Sequence, residues 1–332
     1  MGVSDTGRVL VTGADGFIGR ALMTSLAAQG IDHVGAVRAR RADSPPQTIA
    51  LGDLAAADWS EALRSVGAVV HLAGRAHVLR GDHDPTPHIV ANVHVTRRLM
   101  DAARRAGVRR VVFASTVKVY GERTRPGHPF AAGDPARPRD AYSRSKAEAE
   151  QVIARACADG GMDCVVLRLP LVYGPGVKGN FALLLEAIAN GRRLPFAGVT
   201  NRRSLLFVGN AVSAIERAMV VPALGGQVLP VSDREAVSTP QLIRALGAAM
   251  GVEPRLARLP TSVLRAGAAL VGRRGASQRL LDSLEVDGRR FESLAGWTPP
   301  FSFSEGIAAT ATWWRARGAV PAPARREAAA PL

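Results

Sequence analysis

The chain has 332 residues, of which 47% are hydrophobic, and its formal net charge is +15. This length suits one large α/β domain or two smaller ones, and no apolar run is long enough to predict a membrane span. The excess of arginine is compatible with nucleic-acid binding, but the basic residues are scattered and only 5% of the residues are aromatic. We therefore expect no nucleic-acid partner.

The N-terminus leads almost directly into an apolar segment, so we expect no secretory signal and predict a cytoplasmic location. Only two cysteines occur, Cys157 and Cys164. We expect both to be small core residues rather than a disulfide or metal framework, in a reducing compartment.

The first half of the chain alternates apolar strands with amphipathic helices. Predicted strands cover residues 8–13, 33–38, 47–53, 68–74, 109–116 and 163–176. Predicted helices cover residues 16–30, 92–107 and 140–160, and glycines end the first two. Strands rich in Val, Ile and Leu between helices predict a parallel sheet that is buried on both faces, in a doubly wound α/β (Rossmann) fold.

After Gly174 this alternation ends. Helices are predicted over 181–191 and 239–251, and isolated strands over 203–208 and 226–231. We predict a nucleotide-binding domain over 1–172, joined by about 203–231, and a smaller C-terminal α+β substrate lobe over 173–202 and 232–318. The Pro/Ala-rich tail over 319–332 is expected to be disordered.

Three glycines follow the first strand in "VLVTGADGFIGRAL". Gly13 permits the tight turn, Gly16 allows the backbone to approach a pyrophosphate, and Gly19 lets the helix pack closely on the sheet. The helix N-terminus then offers free N–H groups to phosphates. The motif predicts a dinucleotide-binding turn, although a purely structural turn is an alternative.

The second strand ends in "AVRARR", without the acidic residue that would bind a ribose 2′-hydroxyl. The guanidinium of Arg38 suits a 2′-phosphate instead, which favours NADP(H) over NAD(H). A solvated loop arginine is the alternative. Asp53 ends the third strand, where it is suited to accept a hydrogen bond from an adenine amino group or to cap a helix.

Tyr142 and Lys146 form a Tyr-x-x-x-Lys pair, which lies on one face of a predicted helix. We expect the ammonium group to lower the pKa of the phenol and make it a better proton shuttle; an exposed helix face is the alternative. Ser115 and Thr116 end the preceding strand, at the carboxyl edge of the sheet where α/β active sites form.

Eight segments resemble those of extended short-chain dehydrogenases/reductases of the sugar-nucleotide epimerase/dehydratase group. In chain order they are "VTGADGFIG", "LGDL", "HLAG", "ANVHVT", "FASTVKVYG", "YSRSK", "LRLPLVYGPG" and "RSLLFVGN". The resemblance covers about residues 8 to 315 and implies an NAD(P)-dependent enzyme that acts on a UDP-sugar.

The resemblance implies a catalytic triad of Thr116, Tyr142 and Lys146. Tyr142 would exchange a proton with a sugar oxygen, Lys146 would hold the nicotinamide ribose, and Thr116 would hydrogen-bond the reacting oxygen. The implied cofactor positions are Gly13, Gly16, Phe17, Ile18, Gly19, Arg38, Asp53, Leu54, Leu72, Ala73, Gly74, Asn92, Tyr142, Lys146, Pro170 and Val172.

The implied substrate contacts are Thr116, His77, Asn180 and Arg203, of which Asn180 and Arg203 would hold the nucleotide diphosphate. A surface arginine is the alternative for Arg203. The histidines and aspartates of the loop 74–88 fit no usual zinc spacing, so we predict no metal. The helices over 87–106 and 140–160 resemble those through which the family often forms homodimers.

Val117 and Lys118 follow Thr116, where a 4,6-dehydratase of the family carries an Asp-Glu pair. This departure argues against dehydration and leaves a 4-keto reductase or a 4-epimerase. Arg38 favours the reductase, and "HLAGRAHV" and "LAGWTPPFSFSEGI" resemble bacterial enzymes that reduce UDP-4-keto-6-deoxy-N-acetylhexosamines for surface polysaccharides. A remote alternative is a non-enzymatic dinucleotide sensor, but such relatives usually lose the Tyr-Lys pair.

Overall fold

The computed structural model describes residues 6–76, 84–158, 160–270 and 280–318. Its main feature is a seven-stranded parallel sheet with the strand order β3-β2-β1-β4-β5-β6-β9. These strands are β1 (Arg8–Thr12), β2 (His33–Val37), β3 (Thr48–Ala50), β4 (Val66–His71), β5 (Arg110–Thr116), β6 (Asp163–Leu169) and β9 (Val228–Pro230). The predicted doubly wound fold is confirmed.

The sheet extends from β1 in both directions, because β2 pairs with β1 on one side and β4 pairs with it on the other. Ligands of open α/β sheets bind at such a switch point, outside the carboxyl ends of the strands. The carboxyl ends of β1, β4 and β5 carry Thr12, His71 and Thr116.

Helices cover both faces of the main sheet. One face packs against α1 (Phe17–Ala28), α6 (Val208–Val220) and α9 (Arg289–Ala295). The other face packs against α3 (Val95–Arg105) and α4 (Ala141–Cys157). The two apolar layers bury the near-continuous Val/Ile/Leu strands, as expected for a parallel sheet.

A second, three-stranded sheet has the order β10-β8-β7, formed by β7 (Leu171–Tyr173), β8 (Arg203–Phe207) and β10 (Ala236–Val237). It packs with α5 (Gly179–Ala189), α7 (Thr239–Met250) and α10 (Phe303–Gly318) around a separate apolar cluster. A further helix, α8, spans Thr261–Leu270.

The predicted strand over 163–176 is divided at Pro170. Proline has no N–H to donate to a sheet, and the chain passes here from β6 in the main sheet to β7 in the second sheet. The segment over 203–231 is also divided. Its strand β8 pairs with β7 and β10, whereas β9 pairs with β6.

The expectation that both cysteines are unpaired is wrong. Cys157 at the end of α4 and Cys164 at the start of β6 form a disulfide, with Cα atoms 6.3 Å apart. The short connection between these elements brings the two residues within the usual bridging range of about 4.4–6.8 Å.

Candidate active site

The glycine turn connects β1 to α1. Gly13 adopts φ +69°, and a Cβ there would lie 2.8 Å from the backbone nitrogen of Ala73. A Cβ on Gly19 would lie 2.2 Å from the carbonyl oxygen of Gly13. The absence of side chains therefore permits both the turn and the approach of α1 to the sheet, which fits a cradle for a dinucleotide.

A chain of buried hydrogen bonds joins β1, β4 and α3 beside this turn. Thr12 Oγ1 lies 2.7 Å from Nδ1 of His71, whose Nε2 lies 2.9 Å from Thr96 Oγ1. Burial, together with the nearby charge of Lys146, lowers the pKa of His71 to about 3, so the ring is neutral. Sequence reasoning overlooked this series of hydrogen bonds. The series fixes the segment Leu72, Ala73 and Gly74, because Ala73 N donates to Thr12 Oγ1.

Asn92 lies in a π-helical segment, Val90–His94, between a short helix α2 (Thr86–Ile89) and α3. Its Oδ1 accepts a hydrogen bond from Arg75 N at 2.8 Å, and its Nδ2 donates to Ser145 Oγ at 2.8 Å. π-Helical turns are frequent at functional sites. Asn92 thereby links the loop after β4 to the helix that carries Tyr142 and Lys146.

The structure brings the three predicted catalytic side chains together. Thr116 ends β5, and its hydroxyl lies near the phenol of Tyr142 in the first turn of α4, where it favours the phenolate. Lys146 lies one turn further along α4, with Nζ 3.9 Å from the centroid of the Phe113 ring. A Cβ on Gly74 would lie 4.0 Å from the same Nζ, so the ammonium group borders the loop after β4.

The expectation that Lys146 lowers the pKa of Tyr142 is wrong. Burial raises the pKa of Tyr142 to about 12, and the opposing effect of the Thr116 hydroxyl is smaller. Burial also lowers the pKa of Lys146 to about 7, against the opposing charge of Glu150. Desolvation disfavours the charged form of each group, and the phenol is protonated at neutral pH.

A buried ion pair lies one turn beyond Lys146. Glu150 accepts hydrogen bonds from Arg168 Nε at 3.0 Å and Nη2 at 2.6 Å, and from the hydroxyl of Ser115. The guanidinium of Arg168 also lies 4.3 Å from the Tyr120 ring centroid. Sequence reasoning missed this pair, because Arg168 lies on β6 and no local spacing connects it to Glu150.

The two residues after Thr116 do not supply an acid pair. Val117 is buried in an apolar cluster, and Lys118 forms ion pairs with Asp140 and with Glu122 at 3.9 Å. Asp140 also caps α4 by accepting a hydrogen bond from Ser143 N at 2.7 Å. Lys118 therefore stabilises the start of the helix that carries Tyr142.

The other predicted cofactor residues follow the carboxyl edge of the main sheet. Arg38 is exposed after β2, and Asp53 is exposed after β3, where its Oδ1 accepts a hydrogen bond from Ala55 N at 3.1 Å. Leu54 is buried in the core. Phe17 and Ile18 begin α1, and Pro170 and Val172 lie where the chain passes between the sheets. Their roles stay predictions.

Apart from Thr116, the predicted substrate residues lie in the second sheet and its helices or outside the described residues. Asn180 is exposed in the first turn of α5. Arg203 begins β8 and donates a hydrogen bond to the carbonyl oxygen of Asp282 at 2.9 Å. His77 and the tail 319–332 lie outside the described residues.

The comparison with known proteins agrees with this architecture. The family model described as "NAD dependent epimerase/dehydratase family" matches residues 9–229, which is more than half of the chain. The chain belongs to the NAD-dependent epimerase/dehydratase family.

Members of this family resemble the chain over most of its length. A UDP-glucose 4-epimerase of Vibrio cholerae is 35% identical over 91% of this chain and 94% of its own. A UDP-glucose 4-epimerase of Mycolicibacterium smegmatis is 32% identical over 93% and 98%. A dTDP-glucose 4,6-dehydratase of Streptomyces griseus is 28% identical over 93% and 94%.

The solved structure of MoeE5 in complex with UDP-glucuronic acid and NAD is similar as well. It has a TM-score of 0.78 and 29% sequence identity over 94% of this chain and 100% of its own. Like these members of the family, the chain is an NAD-dependent enzyme of the type that acts on sugar nucleotides. Within the described residues no helix has the length and apolar character that crossing a membrane requires.

Proposed function

We propose that the protein reduces the C4 ketone of a UDP-4-keto-6-deoxy-N-acetylhexosamine for surface polysaccharide synthesis. The observation that carries this proposal is the arrangement at the end of β5, where the protonated Tyr142 phenol meets the Thr116 hydroxyl one helical turn from Lys146. A ketone that receives a hydride also needs a proton on its oxygen, and these groups are suited to supply it.

Each residue of the triad has a part in that proton transfer. The Tyr142 hydroxyl donates its proton to the C4 oxygen, and Thr116 hydrogen-bonds the same oxygen as negative charge develops there. Lys146 in its charged form stabilises the phenolate that Tyr142 becomes. A nicotinamide dinucleotide, when bound along the glycine turn and the loop after β4, supplies the hydride.

Two observations favour reduction over the other reactions of the family. Val117 and Lys118 offer no carboxylic acid beside Thr116 for the loss of water. Arg38, exposed after β2, supports NADPH as the exchangeable cofactor.

A 4-epimerase with tightly bound NAD is the second candidate. It is favoured by the two relatives named UDP-glucose 4-epimerase, and by the NAD in the MoeE5 complex. An epimerase would use the same triad, with Tyr142 first as a base and then as an acid. The two candidates differ in whether the cofactor is consumed.

The experiment supplies purified enzyme with NADPH and a UDP-4-keto-6-deoxy-N-acetylglucosamine made in place by a 4,6-dehydratase. Loss of NADPH absorbance with formation of a 6-deoxy sugar nucleotide is expected. Interconversion of UDP-glucose and UDP-galactose without added cofactor, by protein that carries stoichiometric NAD, would favour the epimerase instead.

The triad itself is tested with Tyr142→Phe. This variant keeps the aromatic ring but removes the proton donor, so we expect kcat to fall by about 10²–10⁴-fold while the cofactor still binds. Cofactor affinity is measured by fluorescence titration. Undiminished turnover in this variant would contradict the assignment.

We also propose that the enzyme forms a homodimer through the exposed sides of α3 and α4. Both helices lie on one face of the main sheet, and they border a shared groove that their side chains line.

A further inference from the structure

His88 is a buried histidine in α2 that has no part in the proposed mechanism so far. It is 1% exposed, and its ring centroid lies 6.2 Å from that of Tyr142, with the two planes tilted by 57°. His88 therefore lies directly beside the phenol that the proposed function places against the reacting sugar.

The hydrogen bonds of His88 define which nitrogen carries hydrogen. Nδ1 lies 3.1 Å from the carbonyl oxygen of Arg75. A carbonyl oxygen only accepts, so Nδ1 donates, and a neutral ring then has its lone pair on Nε2. Asn92, one turn further along the same helical segment, donates to the same carbonyl from Nδ2 at 3.2 Å. The Arg75 peptide thus fixes both side chains.

The Nε2 atom of His88 is buried, and no residue that the structure describes supplies it with a hydrogen-bond partner. A buried acceptor without a partner is costly, and proteins rarely retain one without a use. His71, the other buried histidine beside this site, differs in having both ring nitrogens hydrogen-bonded. Of these two histidines, the one next to Tyr142 is therefore the one with an open ring nitrogen.

We propose that Nε2 of His88 accepts a hydrogen bond from a hydroxyl group of the substrate's sugar ring when the sugar lies against Tyr142. Sugar hydroxyls are donors, and the acceptor is held in place by the Arg75 carbonyl before the substrate arrives. His88 would then be a substrate-binding residue that helps to recognise the sugar rather than the nucleotide. This inference rests on the proposed function, because that function places the sugar beside Tyr142.

Two variants separate Nε2 from Nδ1. In His88→Asn the side-chain amide can still donate to the Arg75 carbonyl, but it has no group at the position of Nε2. In His88→Gln a longer amide can place its oxygen near the position of Nε2. The matched control is His94→Asn, which changes an exposed histidine at the end of the same π-helical segment.

The measurement is calorimetric titration of the full-length, cofactor-loaded protein with UDP-glucose and, separately, with UDP. His88→Asn is expected to raise the dissociation constant for UDP-glucose by about three- to tenfold, which is the size of one net hydrogen bond. It should leave the dissociation constant for UDP unchanged. His88→Gln should recover part of the loss, and His94→Asn should match the wild type.

The inference is overturned if His88→Asn weakens the binding of UDP and of UDP-glucose equally, since that pattern indicates general damage to the binding site. It is also overturned if neither dissociation constant changes, or if the wild type binds UDP-glucose no more tightly than UDP. A protein that binds neither ligand would instead refute the proposed function. The melting temperature of each variant shows whether the fold is retained.

Discussion

Lys146 has an unusual environment for a lysine. Its ammonium group is buried among the Phe113 ring, the loop at Gly74, neutral His71 and the first turns of α4. This burial lowers its pKa to about 7, although the carboxylate of Glu150 favours the charged form. Its protonation therefore changes within the range in which enzymes are assayed.

This pKa predicts a pH dependence for the proposed reduction. Below about pH 7 Lys146 is charged and stabilises the phenolate of Tyr142; as the pH rises through that value, the charge and its effect are lost. Tyr142 itself stays protonated across this range because its pKa is about 12. We therefore expect kcat/KM for the keto sugar to fall as the pH rises through about 7, in steady-state assays with saturating NADPH.

Two variants of Lys146 provide the controls for the pH profile. Lys146→Arg carries a charge at every accessible pH, so its kcat/KM should be lower overall but independent of pH around 7. Lys146→Met should be slow and equally flat. A fall near pH 7 that persists in Lys146→Met would show that another group titrates there.

At the residue scale, the sequence predicted which groups meet but not their protonation. The spacing of Tyr142 and Lys146 predicts their pairing, the end of the strand leaves Ser115 and Thr116 as alternatives, and the family resemblance selects Thr116. The direction of the Tyr142 pKa was predicted wrongly, because the desolvation of a side chain depends on the whole surrounding fold. His88 and His71 could not be distinguished by sequence either, since their partners Arg75, Thr12 and Thr96 lie in other elements.

Among the elements, contacts with β5 and β6 hold α4, the helix that carries Tyr142 and Lys146, in place. Glu150 on α4 connects to Arg168 on β6 through two hydrogen bonds and to Ser115 on β5 through a third. Both charged side chains are about nine-tenths buried, with exposures of 10% and 9%. A buried charge that loses its partner is strongly destabilising.

We predict that Glu150→Gln lowers the free energy of unfolding by about 3–5 kcal/mol, because it leaves the Arg168 guanidinium buried without a counter-charge. The measurement is urea denaturation followed by circular dichroism. The matched control is Glu148→Gln, an exposed position on the same helix, which should change the free energy by less than about 0.5 kcal/mol.

The double variant Glu150→Met with Arg168→Met tests the cause of this effect. If the loss in Glu150→Gln comes from an unpaired buried charge, replacing both partners with apolar side chains should restore most of the stability. If the double variant loses as much free energy of unfolding as the single variants Glu150→Met and Arg168→Met lose together, packing rather than charge is responsible.

The prediction of elements succeeded where the sequence pattern is local. It failed where the pairing of segments distant in the sequence determines the structure. The strands of the main sheet were predicted from their apolar runs, and left-handed glycines such as Gly30 and Gly107 do follow the helices that they end. The pairing of β8 with β7 and β10 was not predicted, because strand partners are chosen by the fold rather than by a single strand. The helix α6 was missed because it begins directly after β8, without a turn.

On the scale of the whole molecule, the net charge of +15 bears on assembly. The groove that α3 and α4 share is lined by Arg97, Arg144 and Arg155, against the single carboxylate of Glu148. A two-fold axis would bring this surface against its own copy, so that like charges face each other. Association through these helices would then have to overcome electrostatic repulsion.

If the proposed homodimer forms through this surface, added salt should strengthen it, because ions screen the repulsion between exposed charges beyond about 10 Å at 0.1 M ionic strength. Sedimentation equilibrium at low and high NaCl is expected to show the dimer dissociation constant falling as salt rises. Arg144→Glu balances the charges of the groove and should form a tighter dimer with little salt dependence. The control Arg255→Glu, at an exposed position after α7, alters the net charge equally and should retain the wild-type response. A monomer at every salt concentration, or a dimer that Arg144→Glu leaves unaffected, would locate any self-association elsewhere on the molecule.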